Sequence, residues 1–402
     1  MRILLICNKS PYPSNEGGPM AMDAIIRGLL AAGHDITVLA ASSHKHPAAS
    51  DDIPLNIKDK LRFHSAPVDL HIRPLPALVC LLKGRSYHAA RFLSGAFLSK
   101  LTILLKNNNY DIIQLESVFM GVYLPLIRQQ VQVPVVLRAH NIEHQIWERL
   151  TLQEGNKIKR WYLGKLAQSL KKFEFQIVKS IDAIAAITEE DAGWFRQHTA
   201  APVSVIPYSI EIPEDIENVP PIASSTVCHI GSMNWWPNID GIRWLLKEVW
   251  PRVIRQEPQA QLFLAGKHMP DDLKTDEKSG VYVLGEVDDA TAFLDQHAIL
   301  VIPLHAGSGM RIKMVEGMLR GRAIVATSIA AEGIPAIDGE HYLKADTAEE
   351  FSKAILTFIK NPDYQTSIGG NAQLLVRNYF DRHRLSGILV DLYTSLIGDE
   401  KK

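Results

Sequence analysis

The side chains best suited to chemistry sit in one run, HAGSGMRIKMVEGMLRGRAIVATSIAAEGI, from His305 to Ile334. A glycine-rich loop, 305–309, leads into an apolar helical pattern expected to begin near Met310. Glycines let the backbone approach a ligand, and the open N–H groups at a helix start favour an anion. Arg311 adds a planar, two-pronged donor and Lys313 a point charge. Glu316 follows three residues later on the same helical face. Gly317 beside it costs a helix interior about 1 kcal/mol relative to Ala. A position without a side chain next to a carboxylate leaves room for a closely packed group, and a ribose diol would suit. A Lys–Glu surface pair on an ordinary amphipathic helix explains these residues equally well.

Other candidates follow apolar runs. RAHNIEH brings His140 and Asn141 to the carboxyl end of a strand, and DIIQLE ends in Glu116 in the same way. Glu116 reads equally as a ligand contact, a buried structural carboxylate or a surface residue. Glu143 and His144 are metal-ligand types, but they share one short turn with His140 and lack a fourth partner, so no metal is expected. NEGGPM places Gly17 and Gly18 between the first strand and a helix near Met20, a context that favours a ligand-facing turn over a plain one. The adjacent Trp235 and Trp236 are expected as one ring in the core and one capping a loop.

Positioning these loops requires a frame, and the chain supplies one. RILLIC, DITVLA, DIIQLE, VPVVLRAH and DAIAAIT alternate with helical patterns, then TVCHIGSM, AQLFLAG, VYVLGEV, AILVIPL and RAIVATS do the same. Near-continuous apolar strands separated by helices imply parallel sheets covered on both faces. Between the halves, APVSVIPYSIEIPEDIENVPPIASS loses periodicity and gathers prolines, which marks a linker. The expected organisation is an α/β chain of two doubly wound, Rossmann-like domains, 1–205 and 206–370, facing a cleft. A final helix near Asn371–Leu396, within a segment 371–402, either stays with the second domain or crosses back. Open parallel sheets bind ligands at their carboxyl ends, where all the candidate loops lie.

Bulk composition excludes several classes. The 402 residues are 47% hydrophobic and 22% charged with a formal net charge of −1, which does not favour nucleic acid as the main partner. Cys7, Cys80 and Cys228 are widely spaced, as in a cytoplasmic protein with neither zinc nor disulfides. The apolar start is too short for a signal peptide, and no stretch reaches the roughly 20 apolar residues of a spanning helix. Lys157–Lys179 carries seven basic residues against one acid, Glu174, with interleaved aromatics. A second apolar, basic region, LPALVCLLKGRSYHAARFLSGAFLSKLTILL, accompanies it. Both are compatible with peripheral contact at the anionic inner face of a membrane, or with solvated helices whose apolar sides pack inward.

VIPLHAGSGMRIKMVEGMLRGRAIVATSIAAEGI resembles the donor-site signature of the retaining GT-B glycosyltransferases of family 4. GSMNWWPNIDGIRWL, LFLAGKHMP and LGEVDDATAFL resemble successive loops of that family's C-terminal domain. RAHNIEH and SLKKFEFQIVKSIDAIAAITEED resemble its N-terminal domain. The resemblance implies a metal-independent, hexosyltransferase-like enzyme with no cofactor. Its co-substrate would be a nucleotide-diphosphate sugar and its acceptor a glycan or lipid-linked glycan. It places Gly17, Gly18, Gly231, Ser232, Lys267, Val287, Ser308, Gly309 and Glu316 at the donor, with Glu316 on the ribose hydroxyls and His140 near the reacting carbon. Asn141 is its neighbour, and Glu116 and Asn141 would face the acceptor. Ser308 occupies the first position of the family's usual glutamate pair. Arg311 and Lys313 are assigned to the diphosphate on physical grounds. Competing readings are an epimerase or hydrolase on the same fold and a non-catalytic nucleotide-sugar binder. A dinucleotide oxidoreductase lacks its G-x-G-x-x-G after the first strand.

Overall fold

The computed structural model describes residues 1–14, 17–213, 225–307 and 310–399. Two parallel sheets organise them. The first contains β1 (Arg2–Cys7), β2 (Asp35–Ser42), β3 (Leu61–Pro67), β4 (Ile112–Glu116), β5 (Val135–Ala139), β6 (Ala183–Ala186) and β7 (Val203–Val205), in the order β3-β2-β1-β4-β5-β6-β7. The second contains β8 (Thr226–Ile230), β9 (Gln261–Ala265), β10 (Val281–Gly285), β11 (Ile299–Ile302), β12 (Ala323–Ala326) and β13 (Leu343–Lys344), in the order β10-β9-β8-β11-β12-β13.

Strand alternation sorts side chains onto the two faces of the first sheet. Ile3, Leu5 and Cys7 of β1 join Met22, Ile25 and Leu29 of helix Gly17–Ala31. Leu4 and Ile6 point the other way, into a layer with Phe97, Leu101 and Leu104 of helix Gly95–Asn107. In the second sheet, Val227, Leu262, Ile299 and Val325 pack with Trp250, Phe351 and Phe358.

The chain divides into one unit of Met1–Ile210 with Arg382–Lys402 and another of Glu211–Asp381. The single final helix expected near Asn371–Leu396 is instead two, Pro362–Tyr379 and Arg382–Asp399. Phe380 is fully buried at the break, and the Arg382 N–H donates to the Ile210 carbonyl at 3.0 Å. The second of these helices adds Leu389, Leu392 and Tyr393 to the first unit's core. It crosses helix Gly17–Ala31 so closely that a Cβ on Gly28 would lie 1.9 Å from Ser386 Oγ.

Candidate active site

In the second unit the loops after β8, β9 and β11 meet around one helix, Ile312–Leu319. The helix starts two residues later than expected, so Arg311 is its N-cap residue and Lys313 lies in its first turn. Ser308 and Gly309 lie outside the described residues. Lys313 Nζ donates to Asn238 Oδ1 at 3.0 Å, and Asn238 Nδ2 donates to the Ser232 carbonyl at 2.7 Å. A Cβ at position 231 would sit 2.6 Å from Lys313 Nζ, so only glycine leaves the ammonium this place. Gly266 has φ +147, and its Cβ would strike the Gly231 carbonyl oxygen at 1.8 Å. The β8 and β9 loops are therefore pressed backbone to backbone under the two cations.

Arg311 is buried, with its guanidinium 5.5 Å from the Trp235 ring centroid and within the field of Glu332. Gly307, at φ +123, passes directly over both: a Cβ there would lie 2.8 Å from Arg311 Nη2 and 2.9 Å from Trp235 Cζ2. The expectation of one core tryptophan and one loop cap is corrected. Trp235 and Trp236 are 38% and 63% exposed, and Trp235 is the face on which Arg311 rests.

Glu316 is half-buried and its carboxylate has no hydrogen-bond or ion-pair partner among the described residues. Lys313 reaches Asn238 instead, which removes the surface-pair explanation. Burial pushes Lys313 down to about 7, Arg311 adds to the effect, and Glu316 opposes it. Burial likewise pushes Glu316 up to about 7 against the pull of Lys313. Both groups thus lie near their titration midpoints at neutral pH, where a ligand can shift either one. Lys267 is half-exposed and paired with Glu286 at 3.1 Å. Val287 follows the end of edge strand β10.

In the first unit, Gly17 and Gly18 open helix Gly17–Ala31, and a Cβ on Gly18 would lie 2.9 Å from Lys9 Cε. Lys9 was not legible as a neighbour of this turn. His140 follows β5, with 17% of its side chain exposed, and its Nε2 lies 2.7 Å from Glu116 Oε2. Glu116 is completely buried, so it presents no surface to an acceptor in this structure. Asn141 is half-buried beside it and hydrogen-bonds Glu143. Burial, then the charge of Glu174, pushes Glu143 up to about 7, although the bond to Asn141 opposes this. His144 is buried and bonded through Nδ1 to Glu174 at 2.6 Å. Glu174 also accepts from the backbone N–H groups of Glu143 and His144, capping the start of helix Glu143–Gln153. Among the described residues no group of three or more His, Cys, Asp or Glu is arranged to hold a metal.

Comparison with known proteins assigns the class. A profile of Glycosyltransferase Family 4 matches residues 17–212, and one of Glycosyl transferases group 1 matches 224–361. This chain is a family 4-like GT-B glycosyltransferase. The glycosyltransferase is 24% identical over 408 residues to an uncharacterized 44.6 kDa protein in the cps region of Klebsiella pneumoniae, covering 96% of this chain and 97% of that one. Its fold resembles sucrose-phosphate synthase of Thermosynechococcus elongatus, with TM-score 0.69, 16% identity, and 99% and 100% of the two chains covered. It also resembles HepE of Anabaena in complex with UDP and glucose, with TM-score 0.62, 15% identity, and 98% and 99% covered. At such identities these structures speak to architecture alone.

Sequence reading missed Asn238, whose side chain holds Lys313 from the first turn of helix Trp236–Trp244; with Asp240 and Arg243 in the same helix, its polarity did not set it apart. The stacking of Trp235 on Arg311 joins residues 76 positions apart and left no local signal.

Proposed function

We propose that this glycosyltransferase moves a sugar from a nucleoside-diphosphate sugar to a glycan or lipid-linked glycan, with retention at the anomeric carbon and without a metal. The observation that carries the reading is the convergence of Arg311, Lys313 and Glu316 on glycine-lined loops at one end of the second sheet. Breaking the bond between the sugar carbon and the diphosphate oxygen gathers negative charge on the diphosphate. The Arg311 guanidinium, the Lys313 ammonium once the donor has drawn its proton, and a helix N-terminus accept that charge with little rearrangement. Glu316 is left to bind the ribose hydroxyls. The solved HepE complex with UDP and glucose supports a nucleotide-sugar donor, and retention follows from the family resemblance. Incubation with UDP-glucose and other nucleoside-diphosphate sugars in EDTA tests the proposal, with NMR reading the product's anomeric configuration. Donor binding accompanied by neither transfer nor slow donor hydrolysis would reduce the protein to a nucleotide-sugar binder. Inversion, or activity restored only by divalent metal, would remove the corresponding clause.

A second observation favours a membrane-borne acceptor. Helix Pro74–Leu82 exposes Leu75, Leu78, Val79 and Leu82, flanked by exposed Arg73, Lys83 and Arg85. Ala77 and Tyr87 pack against Leu166 of helix Lys157–Val178, whose first turns expose Ile158 and Trp161 among Lys157, Lys159 and Arg160. An apolar row ringed by cations suits the interface of an anionic bilayer. Among the described residues no helix is long and apolar enough to cross a membrane, so such contact would be peripheral.

A further inference from the structure

One face of the first sheet hides a chain of polar groups in its apolar layer. Cys7, Glu116 and Arg138 are register neighbours on β1, β4 and β5, and Gln114 lies two residues before Glu116 on the same face. Gln114, Glu116 and Arg138 are completely excluded from solvent, as is Tyr393 of the returning helix Arg382–Asp399. Tyr393 Oη donates to Gln114 Oε1, and Gln114 Nε2 donates to Glu116 Oε1 at 2.5 Å. The other carboxylate oxygen, Oε2, meets His140 Nε2 at 2.7 Å. Only at His140 does the chain reach a partly exposed group.

The order of donors and acceptors is forced. Only the amide nitrogen of Gln114 can donate to a carboxylate, which turns its oxygen towards the Tyr393 hydroxyl. The Arg138 guanidinium makes no hydrogen bond among the described residues, but its Nε lies 3.6 Å from Glu116 Oε2 and supplies a compensating charge. Burial alone would raise Glu116. The hydrogen bond from His140, the charge of Arg138 and the hydrogen bond from Gln114 outweigh that and hold the carboxyl below its ordinary range. An ionised carboxylate only accepts, so the His140 nitrogen that meets it, Nε2, carries a proton, and in a neutral imidazole that leaves Nδ1 as the acceptor.

We infer that Glu116 is a positioning residue that fixes His140 in the Nε2–H tautomer, with Nδ1 set to accept a hydrogen bond from a sugar hydroxyl, and that Gln114 and Tyr393 hold Glu116 in place. The contact with sugar rests on the proposed reaction; the tautomer does not. Through Tyr393 the helix Arg382–Asp399 helps to position His140, although Tyr393 lies 279 residues along the chain from the Gln114 it bonds.

The test is ¹⁵N NMR of histidine-labelled full-length protein, with the His140 signals identified by their loss in His140→Gln. The wild type shows a protonated Nε2 and an unprotonated Nδ1. In Glu116→Gln the new amide accepts from Gln114 through its oxygen and turns its N–H towards His140 Nε2, so that nitrogen becomes the acceptor and the proton moves to Nδ1. Turnover falls tenfold or more while KM for the donor stays within about twofold. Tyr393→Phe, which removes one oxygen from a packed ring, gives mixed tautomers and a three- to tenfold loss of turnover. A wild type protonated on Nδ1, or an unchanged tautomer in both variants, overturns the inference. If the wild type transfers no sugar at all, the proposed reaction fails, and the NMR result still decides the role of Glu116.

Discussion

A donor that engages both Lys313 and Glu316 must move protons, and the amount follows from the site. With a value of about 7, Lys313 is only about 3% charged at pH 8.5 in the empty protein. Binding an esterified diphosphate, which does not itself titrate there, therefore draws nearly one proton from solvent. Holding the ammonium charged at that pH requires the ligand to contribute about 2 kcal/mol. Glu316, also near 7, is already ionised at pH 8.5 and adds nothing. At pH 5.5 the roles exchange. Lys313 is charged in advance, and Glu316 releases up to one proton as its carboxylate takes the ribose hydroxyls. Near pH 7 the two transfers cancel, so affinity peaks there and falls by up to about tenfold per pH unit on either side. Titration calorimetry with UDP-glucose, repeated in two buffers of different ionisation enthalpy, counts the protons directly. Lys313→Ala should abolish uptake at pH 8.5 and Glu316→Gln should abolish release at pH 5.5. No uptake by the wild type at pH 8.5, or an uptake that survives Lys313→Ala, refutes the assignment of Lys313 to the diphosphate.

Arg311→Ala should lower turnover by roughly 100- to 1,000-fold, well beyond its effect on donor affinity, because the charge it meets develops as the diphosphate leaves. Arg311→Lys should recover only part, lacking the planar fork that rests on Trp235; near-normal steady-state rates in both would move the duty elsewhere. Gly266→Ala combines a strained φ with a clash against the Gly231 carbonyl, and should cost at least about 2 kcal/mol. A thermal midpoint equal to that of the wild type would contradict the close approach of the two loops. Leu75 and Leu82 are 77% and 78% exposed, so Leu75→Glu with Leu82→Glu should weaken binding to anionic vesicles on the order of a hundredfold. Sedimentation with vesicles at low and high salt reads this, and equal binding by the double variant would acquit the helix.

Central strands were legible because burial on both faces leaves an uninterrupted apolar run, as in RILLIC and AILVIPL. The strands overlooked, β3, β7 and β13, are all sheet edges. LRFHSAP alternates irregularly between buried and exposed positions, and β7 opens what reads as a proline-rich linker. The break after Tyr379 has no glycine or proline to announce it; a buried phenylalanine and a backbone bond to Ile210 decide it. At the site, residue types were readable and partnerships were not. Glycine, arginine, lysine and glutamate in one loop–helix run suggested an anion. That Lys313 bonds Asn238 depends on how two strands bring their loops together. The fate of Glu116 depends on register: opposite Arg138 and within reach of His140, it is committed inside the fold.

The path of the chain also sets an order of assembly. The first unit is the first to leave the ribosome, yet it is incomplete until Leu389, Leu392 and Tyr393 arrive to cover Met22, Ile25 and Leu29. The second unit is continuous in sequence and needs no later segment for its core. At ordinary synthesis rates, the roughly 180 residues between Ile210 and Tyr393 take about 10–40 s to make. For that interval the nascent first unit presents an uncovered apolar layer and a Gln114 without its tyrosine. A premature stop that deletes only the final helix therefore does its damage to the part of the protein made first.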